Sequence, residues 1–424
     1  MNAKQNRIDR RTFLRSVGAA GVGSVFASAS LQAGPNEPGA VKSERKKTLL
    51  QVPRRTLGKL TQLNKEGKKV PLEVPVLSLG TMFDVVENQA ALRESLKRGV
   101  NYWDTAYSYN GGNSELGIGK FLSRNPQMRR RLFIVSKASR AKSIDEVEQR
   151  LQESLKRMNT TYIDLYYGVH ILSKPAQLTD ELRQWAESAK KRKLIRYFGF
   201  STHSNMAECL QAAAKVDWID GILVLYNWRV MQEAQMDAAI EACYKKGIGL
   251  TAMKTQGRGQ DKEIETEGDK KLTEHFLKRG FTAGQAKIKA VLSDKRISSA
   301  CVGRGNVREL RENVAAVLDK TELTAEDMNV FRRVAGQTCT GYCAGCSNIC
   351  GAALPDMPYV SEVMRCLMYH DSYGEKDTAR RVFAELPREV SAALTSTDYT
   401  GAESLCPQHM PIGKLMARAA TTLS

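Results

Sequence analysis

Four side chains that can donate, accept or orient a proton occur at the ends of three successive apolar segments. Asp104 and Tyr109 follow the first segment, Lys137 ends the second and His170 ends the third. A carboxylate, a phenol, an ammonium and an imidazole in one place make general acid–base chemistry available. Each residue alone also fits a packed aromatic, a surface lysine or a turn cap. Their joint position predicts one catalytic site.

A second group of reactive side chains lies farther along the chain. Cys339, Cys343, Cys346 and Cys350 fall close together, and Cys406 directly precedes a proline. This spacing approximates the bacterial ferredoxin pattern and its terminal Cys-Pro pair. We predict that Cys339, Cys343, Cys346 and Cys406 bind one 4Fe-4S cluster, with Cys350 as a further candidate. Disulfides and a zinc site remain open alternatives.

Short apolar stretches that alternate with amphipathic helical stretches supply the framework for these side chains. The eight predicted strands are Val76–Gly80, Tyr102–Ala106, Leu132–Lys137, Ile163–His170, Tyr197–Ser201, Gly221–Tyr226, Gly249–Lys254 and Ser298–Gly303. Near-continuous apolar strands indicate a parallel sheet that is buried on both faces. Eight such repeats predict an α/β fold of the (β/α)8 barrel type, in which catalytic residues lie at the C-terminal ends of strands. The rival, a doubly wound sheet, usually has G-x-G-x-x-G after its first strand, and this sequence has none there.

The sequence divides into four predicted segments: 1–33, 34–54, 55–320 and 321–424. The first is predicted to be a twin-arginine signal peptide, because Arg10-Arg11 precedes a small, weakly apolar stretch that contains Ala27-Ser28-Ala29. The second is predicted to be a linker, the third the barrel and the fourth a mostly helical, cysteine-containing extension. These features predict export by the twin-arginine route to the periplasm or another extracytoplasmic space.

The charge of the chain is strongly positive but dispersed. With 64 Lys and Arg against 46 Asp and Glu, the formal net charge is +18. The basic residues alternate with acids along predicted helices and form no stripe with interleaved aromatics, so we expect a solvated basic surface and no nucleic-acid partner. The apolar N-terminal stretch is too short and too rich in Gly, Ala and Ser for a good membrane span, and we expect no stable membrane insertion.

Across 55–320 the sequence resembles the aldo/keto reductase family. The matching motifs are D-T-A-x-x-Y at Asp104–Tyr109, S-E-L-G-x-G at Ser114–Gly119, F-G-F-S at Phe198–Ser201 and R-E-L-R-E-N at Arg308–Asn313. The resemblance implies a nicotinamide-dependent oxidoreductase that reduces an aldehyde or ketone to an alcohol, or catalyses the reverse. Some members of the family also carry a ferredoxin-like C-terminal segment, which would imply an electron-transfer partner.

The resemblance also implies the role of each predicted catalytic residue. Tyr109 is the general acid or base, Lys137 lowers its pKa, and Asp104 keeps the ammonium charged and oriented. His170 hydrogen-bonds the substrate oxygen. In the family this histidine usually follows the strand's aspartate by five residues, whereas here the separation from Asp164 is six. Either a β-bulge beside the histidine restores its aim or the histidine is displaced.

Cofactor contacts are implied at nine positions, which are Ser201, Thr202, Asn227, Lys254, Gly303, Arg304, Arg308, Glu312 and Asn313. Ser201 and Thr202 occupy the places that contact the nicotinamide amide, and Lys254 is expected at the pyrophosphate. The segment after Gly303 opens a helix N-terminus, which is a natural phosphate site. Arg304 and Arg308 would pair with the 2′-phosphate of NADP(H).

Three substitutions in the cofactor motif keep alternatives open. Glu309 stands where NADP-preferring members usually have arginine, so NAD(H) remains a second candidate. Leu223 replaces a usual glutamine and Met253 a usual aromatic residue. A nicotinamide-binding barrel that acts as a sensing or interaction subunit with little turnover is therefore the alternative function.

Overall fold

A computed structural model describes residues 49–424 except 261, 304–305 and 358, and for 262–266 it describes the backbone alone. The predicted signal peptide and most of the predicted linker lie outside the described residues. Arg304, a predicted cofactor contact, also lies outside them.

Eight parallel strands close into a barrel in the order β10-β3-β4-β5-β6-β7-β8-β9. The ten strands of the described residues, including an N-terminal pair, are β1 (Arg54–Leu63), β2 (Lys69–Pro75), β3 (Leu77–Gly80), β4 (Tyr102–Asp104), β5 (Phe133–Ser139), β6 (Ile163–His170), β7 (Ile195–Thr202), β8 (Gly221–Leu225), β9 (Gly249–Met253) and β10 (Ser299–Val302). Each barrel strand is almost entirely buried, as expected for a sheet that is covered by helices outside and filled by side chains inside. The predicted (β/α)8 fold is confirmed.

Among the described residues, sixteen α-helices lie around and beyond the barrel, and seven of them begin after an Asn, Ser or Thr. Their bounds are α1 (Gln89–Lys97), α2 (Asn113–Arg124), α3 (Ile144–Arg157), α4 (Asp180–Lys191), α5 (Met206–Lys215), α6 (Ala234–Lys246), α7 (Lys262–Lys278), α8 (Ala283–Ser293), α9 (Val307–Leu318), α10 (Ala325–Gln337), α11 (Ser347–Ala353), α12 (Val360–Leu367), α13 (Lys376–Phe383), α14 (Arg388–Ala393), α15 (Thr400–Leu405) and α16 (Ile412–Thr422). Side-chain oxygens of Ser143, Thr179, Thr282 and Asn306 accept from backbone N–H groups of the first turns of α3, α4, α8 and α9. Such caps satisfy backbone donors that a helix start leaves unpaired.

The antiparallel hairpin β1–β2 closes the N-terminal end of the barrel. Leu57, Leu72 and Val74 of the hairpin pack against barrel-interior side chains such as Tyr102 and Leu165. Gly58 has φ +57°, and a Cβ there would lie 2.3 Å from the carbonyl oxygen of Gly247, so the close approach of hairpin and barrel requires glycine. With this end blocked, the opposite, C-terminal end of the barrel is the open one.

The segment after the barrel forms two different packing units. Helix α10 packs with α7 through Phe331, Leu272 and Phe276, against Trp228 of the barrel. Helices α11 to α16 share a separate apolar core that begins at Leu354. We call residues 343–424 the tail. Within the part of the chain that the structure describes, no helix has both the length and the apolar character needed to cross a membrane.

Candidate active site

A buried ion pair lies at the C-terminal ends of β4 and β5. The Nζ of Lys137 lies 2.7 Å from Oδ1 of Asp104 and donates to the carbonyl oxygen of Thr105 at 2.6 Å. Burial raises the pKa of Asp104, and the charge of Lys137 opposes that rise. The ammonium therefore has fixed acceptors on one side and leaves its other side toward the cavity.

Tyr109 follows β4 in a tight turn that places its ring beside this pair. Asn110, Gly111 and Gly112 all have positive φ, so the chain reverses immediately after the tyrosine. The Nζ of Lys137 lies 4.6 Å from the centroid of the Tyr109 ring. The structure thus brings Asp104, Tyr109 and Lys137 together, as the sequence predicts.

The pKa of the phenol differs in direction from the expectation. Removal from water raises the pKa of Tyr109 well above its usual value, the charge of Asp104 raises it further, and Arg365 of the tail acts in the opposite direction. The enclosure of the phenol accounts for this rise, and the lowering effect of Lys137 stays a prediction. A phenol with a raised pKa stays protonated at neutral pH, which is the state that can donate a proton.

His170 reaches the same cavity by means of a β-bulge. Tyr167 pairs with Gly199 and Val169 with Phe200, so Gly168 is an extra residue in β6. A Cβ on Gly168 would lie 2.6 Å from the ring of Phe198, which leaves no room for a side chain. The bulge absorbs the additional residue between Asp164 and His170. The histidine is therefore aimed into the site and not displaced.

The imidazole of His170 is held in its neutral form. Its Nδ1 lies 2.9 Å from Oγ of Ser139, and its ring lies edge-on to that of Tyr109 with centroids 6.0 Å apart. Burial lowers the pKa of His170 well below its usual value, and Lys137 and Arg365 lower it further. A neutral imidazole can offer one nitrogen to Ser139 and the other to a substrate oxygen.

A cavity of about 620 Å³ joins these side chains to the tail. Its barrel wall includes Asp104, Tyr109 and His170, and its outer wall comes from α12, α13 and the segment between them. The tail residues that line it are Arg365, Tyr369, Tyr373, Glu375, Thr378, Arg381, Val382, Glu385 and Leu386. The tail therefore forms a roof over the catalytic end of the barrel.

The other end of the cavity fits a nicotinamide dinucleotide. The hydroxyl of Ser201 is buried, lines the cavity and has no hydrogen-bond partner among the described residues, so it can bind a polar group such as a carboxamide. The N-termini of α8 and α9 border the cavity through Thr282, Gly284 and Glu309. Helix N-termini attract phosphate groups. Gly303 also lines this end, where a Cβ would lie 2.0 Å from the carbonyl oxygen of Gly80.

The structure places the remaining predicted cofactor residues in two groups. Lys254, Glu312 and Asn313 line the cavity. Thr202 and Asn227 do not. Thr202 donates its hydroxyl to the carbonyl oxygen of Leu172 at 2.7 Å, because neighbouring strand residues point to opposite faces. The amide of Asn227 is engaged by the hydroxyl of Tyr342 and by backbone groups.

Arg308 is the third predicted cofactor residue that lies away from the cavity. Its side chain is 89% exposed, and its Nε lies 3.0 Å from Oε1 of Glu312 one turn later on α9. Thr202, Asn227 and Arg308 thus lie outside the cavity lining, and their contact with a cofactor stays a prediction. Glu309, Met253 and Leu223, the three departures from the family pattern, line the cavity.

Four cavity residues were not predicted from the sequence. Ser139 follows Lys137 by two residues and so lies on the same face of β5, a signal that strand periodicity offers. His203 lies one residue beyond β7 and its Nε2 is 2.8 Å from Nη1 of Arg365. The hydroxyl of Tyr369 lies 3.1 Å from Nζ of Lys254. The two tail residues, Arg365 and Tyr369, are far from the barrel strands in sequence, so local patterns could not place them here.

The cysteines assemble differently from the predicted ligand set. Cys343, Cys346, Cys350 and Cys406 line one small apolar cavity in the tail. Cys339 lies instead in the turn Cys339–Gly341, whose last carbonyl oxygen accepts from the backbone N–H of Gln260. Cys339 is therefore not in the lining of this cavity, and Cys350 is; which of them would bind a cluster stays a prediction.

No disulfide joins any of the nine cysteines, all of which the structure describes. Among the described residues there is also no group of three or more His, Cys, Asp and Glu side chains arranged to hold a single metal ion.

Comparisons with known proteins agree with this geometry. A profile of the aldo/keto reductase family matches residues 77–335, more than half of the chain. L-glyceraldehyde 3-phosphate reductase of Escherichia coli K12 is 25% identical over 322 residues, 63% of this chain and 91% of that protein. L-galactose dehydrogenase of Arabidopsis thaliana is 24% identical over 267 residues, 58% of this chain and 83% of that protein.

A solved structure shares the fold. An aldo-keto reductase from Bacillus halodurans, in its holo form, superposes with a TM-score of 0.52 at 21% identity, over 67% of this chain and 96% of that one. The family match and the barrel with its cavity lead to one conclusion: the chain is an enzyme that belongs to the aldo/keto reductase family.

Proposed function

We propose that this protein is an NADP(H)-dependent reductase that converts an aldehyde or ketone to an alcohol, with Tyr109 as the general acid. The observation that carries the proposal is the position of the Tyr109 phenol at the wall of the cavity, beside the buried Asp104–Lys137 pair. Bound NADPH supplies the hydride.

The residues around the phenol supply what carbonyl reduction requires. As the carbonyl oxygen gains negative charge, Tyr109 donates its proton, and the adjacent ammonium of Lys137 stabilises the phenolate that remains. Asp104 keeps this ammonium in place from behind. The neutral His170, oriented by Ser139, is available to hydrogen-bond the same oxygen. Residues of the tail line the opposite side of the cavity from these groups.

The test is NADPH oxidation by the purified chain with a panel of aldehydes and ketones. We expect wild-type turnover, and a loss of roughly 10²- to 10⁴-fold in kcat for Tyr109→Phe, the usual range for a lost acid–base group. Tyr107→Phe is the matched control, because its hydroxyl binds Glu153 outside the cavity. Full turnover by Tyr109→Phe would contradict the assignment of the acid.

The alternative function, a nicotinamide-binding barrel that senses or interacts with little turnover, rests on Leu223 and Met253, which line the cavity where the family usually has a glutamine and an aromatic residue. Tight NADPH binding without oxidation by any member of the panel would favour this alternative.

The preference for NADP(H) over NAD(H) is part of the proposal. It is supported by the family, one of whose matching members from Schizosaccharomyces pombe carries NADP(+) in its name and is 28% identical over 187 residues. Glu309 and Glu312 at this end of the cavity weigh toward NAD(H), because carboxylates repel a 2′-phosphate. Fluorescence titration with NADPH and NADH decides between them, and tighter NADH binding would overturn the preference.

We further propose that Cys343, Cys346, Cys350 and Cys406 bind one iron–sulfur cluster. A single zinc ion needs every sulfur at about 2.3 Å from the metal, an arrangement that the described residues do not show. A cluster places iron and sulfide between its cysteines, which suits four thiols around a shared cavity. The adjacent helix α11 carries Cys350 one turn beyond Cys346 and so brings both to one face.

The ligand set is tested by anaerobic purification with iron and sulfide analysis. We expect a brown protein, loss of iron in Cys350→Ser and full iron content in Cys339→Ser. A colourless, iron-free wild type, or loss of iron in Cys339→Ser alone, would contradict the proposal. If the cysteines form disulfides instead, they would resist alkylation until a reductant is added.

Export by the twin-arginine machinery is also proposed, on the basis of Arg10-Arg11 and the weakly apolar stretch that follows. Cell fractionation of the native host tests it. We expect processed wild-type protein outside the cytoplasm, retention of the double variant Arg10→Lys, Arg11→Lys, and normal export of the control Arg15→Lys. Export of the double variant at the wild-type level would contradict this route.

A further inference from the structure

The catalytic end of the cavity carries positive charge that the described residues do not balance. Lys137 is paired with Asp104, and Arg140 at the rim is paired with Glu385 of the tail. Arg365 and Lys254 also line the cavity, and neither lies within ion-pair distance of a carboxylate among the described residues.

The partners that Arg365 and Lys254 do have are neutral. Nη1 of Arg365 lies 2.8 Å from Nε2 of His203, and burial together with Arg365 itself lowers the pKa of that imidazole well below its usual value. The Nε of Arg365 is buried without a hydrogen-bond partner among the described residues. Among the described residues, the hydrogen-bond partner of Nζ of Lys254 is the hydroxyl of Tyr369, at 3.1 Å. Both side chains are partly buried, and burial together with the charge of Arg365 lowers the pKa of Lys254 well below its usual value. An enclosed cation without a counter-ion is costly, so an anionic ligand would stabilise Arg365 and favour the charged form of Lys254.

The position of Arg365 separates this charge from the cofactor's phosphates. Arg365 projects from α12 close to the Tyr109 phenol and the His170 imidazole, and its charge acts on both. The phosphate-attracting N-termini of α8 and α9 border the other part of the cavity. An anion beside Arg365 would therefore belong to the molecule whose carbonyl faces Tyr109.

We propose that the substrate is an aldehyde or ketone that carries a carboxylate or phosphate group, and that Arg365 of the tail binds this group, with Lys254 beside it and Arg140 and Arg381 at the rim. The proposal rests on the proposed reductase function and adds the class of substrate. A guanidinium suits either anion because its planar N–H groups match both oxygen geometries. Glu375 and Glu385 also line the roof, and their carboxylates would repel a second anionic group on the substrate.

The experiment compares aldehydes with and without an anionic group. The pairs are 4-carboxybenzaldehyde against 4-formylbenzamide, and glyceraldehyde 3-phosphate against glyceraldehyde, each with NADPH. We expect a higher kcat/KM for the anionic member of at least one pair, and the pair that shows it identifies carboxylate or phosphate as the preferred group. Equal or higher kcat/KM for both neutral members would overturn the inference.

Arg365→Leu tests the assigned residue. We expect it to lower kcat/KM for the preferred anionic substrate by about 10- to 100-fold, mostly through KM, as for loss of a charge-assisted hydrogen bond. The ratio of kcat/KM for the anionic substrate to that for its neutral partner should fall about 10-fold or more, and Arg365→Lys should restore part of that ratio. Arg380→Gln, at an exposed position of α13 outside the cavity lining, is the control and should leave both substrates unchanged. Equal losses for anionic and neutral substrates in Arg365→Leu would overturn the assignment.

Binding measured without turnover distinguishes this inference from the proposed function. Titration of the NADPH-bound protein with 4-(hydroxymethyl)benzoate and with 4-nitrobenzyl alcohol reports the anion site alone. Binding of the benzoate that depends on Arg365, with no reduction of any aldehyde, would keep the anion site and refute the reductase. Reduction of neutral aldehydes without any preference for anions would keep the reductase and refute the anion site.

Discussion

The two walls of the cavity differ in how their charged side chains are paired. In the barrel wall, the carboxylate of Asp104 and the ammonium of Lys137 are paired at 2.7 Å and fixed by adjacent parallel strands. In the tail wall, Arg365 contacts a neutral histidine, and the hydroxyl of Tyr369 contacts Lys254 of the barrel. The first arrangement is complete without a ligand, whereas the second becomes complete when an anion binds. The comparison suggests that the barrel supplies the reaction and the tail supplies the choice of substrate.

The largest expected effect comes from removing one partner of the barrel pair. Lys137→Met leaves the Asp104 carboxylate buried and uncompensated, and its Oδ2 already has no partner among the described residues. We expect a loss of about 3–5 kcal/mol in the free energy of unfolding, measured by urea denaturation. The double variant Asp104→Asn, Lys137→Met should recover part of that loss. A single-variant loss below about 1 kcal/mol would show that the pair is not desolvated as described.

A smaller effect is expected at the β-bulge that aims His170. Gly168→Ala places a methyl group against the ring of Phe198, and overpacking of this kind costs about 1–3 kcal/mol. Thermal unfolding and kcat/KM for reduction should both decrease, and Phe198→Leu should relieve the defect. Gly336→Ala is the matched control, since a Cβ there meets no atom within 4 Å and alanine suits a helix. An unchanged Gly168→Ala protein would contradict the bulge.

The tail wall should respond more weakly to loss of a single group. Tyr369→Phe removes the hydroxyl that accepts from Lys254, a neutral partner worth about 1 kcal/mol. We expect a several-fold change in KM for the preferred substrate and little change in stability, with the exposed Tyr244→Phe as control. A loss as large as that of Lys137→Met would remove the distinction between the two walls.

The smallest expected effect is that of pH. The pKa of His170 is lowered, so its imidazole gains a proton only at a pH below the ordinary value of about 6.5. The pKa of Tyr109 is raised, so the phenol loses its proton only above the ordinary value of about 10. Between these limits neither group changes charge, and kcat/KM for reduction should stay nearly constant. A bell-shaped profile centred near neutrality would contradict both assignments.

The sequence predicts the barrel well, because the strands of a buried parallel sheet are near-continuous apolar stretches. All eight predicted barrel strands form, and the structure brings Asp104, Tyr109, Lys137 and His170 together. Strand ends converge whenever a barrel closes, so a motif at consecutive strand ends needs no long-range information. Even the additional residue before His170 leaves a trace in the sequence, in the form of Gly168.

The parts that the sequence could not predict depend on contacts between distant segments. The sequence does not distinguish Ser201 from Thr202. Neighbouring residues of β7 point to opposite faces, and of these two only Ser201 lines the cavity. Cys339 and Cys350 are both plausible by spacing, and the choice depends on the turn that ties residue 341 to Gln260. Arg365 has no local signal, because its role arises from the folding of the tail over the barrel.

The most direct test of the central claim is the rate of hydride transfer in a single turnover, followed by the loss of NADPH absorbance after mixing loaded enzyme with an aldehyde. If Tyr109 is the proton source, we expect Tyr109→Phe to bind NADPH as tightly as the wild type but to transfer hydride roughly 10²- to 10⁴-fold more slowly. It also predicts a slower wild-type reaction in D₂O, because the phenol delivers its proton as hydride arrives. Hydride transfer by Tyr109→Phe at the wild-type rate, with no solvent isotope effect, would contradict the claim that this phenol is the proton source.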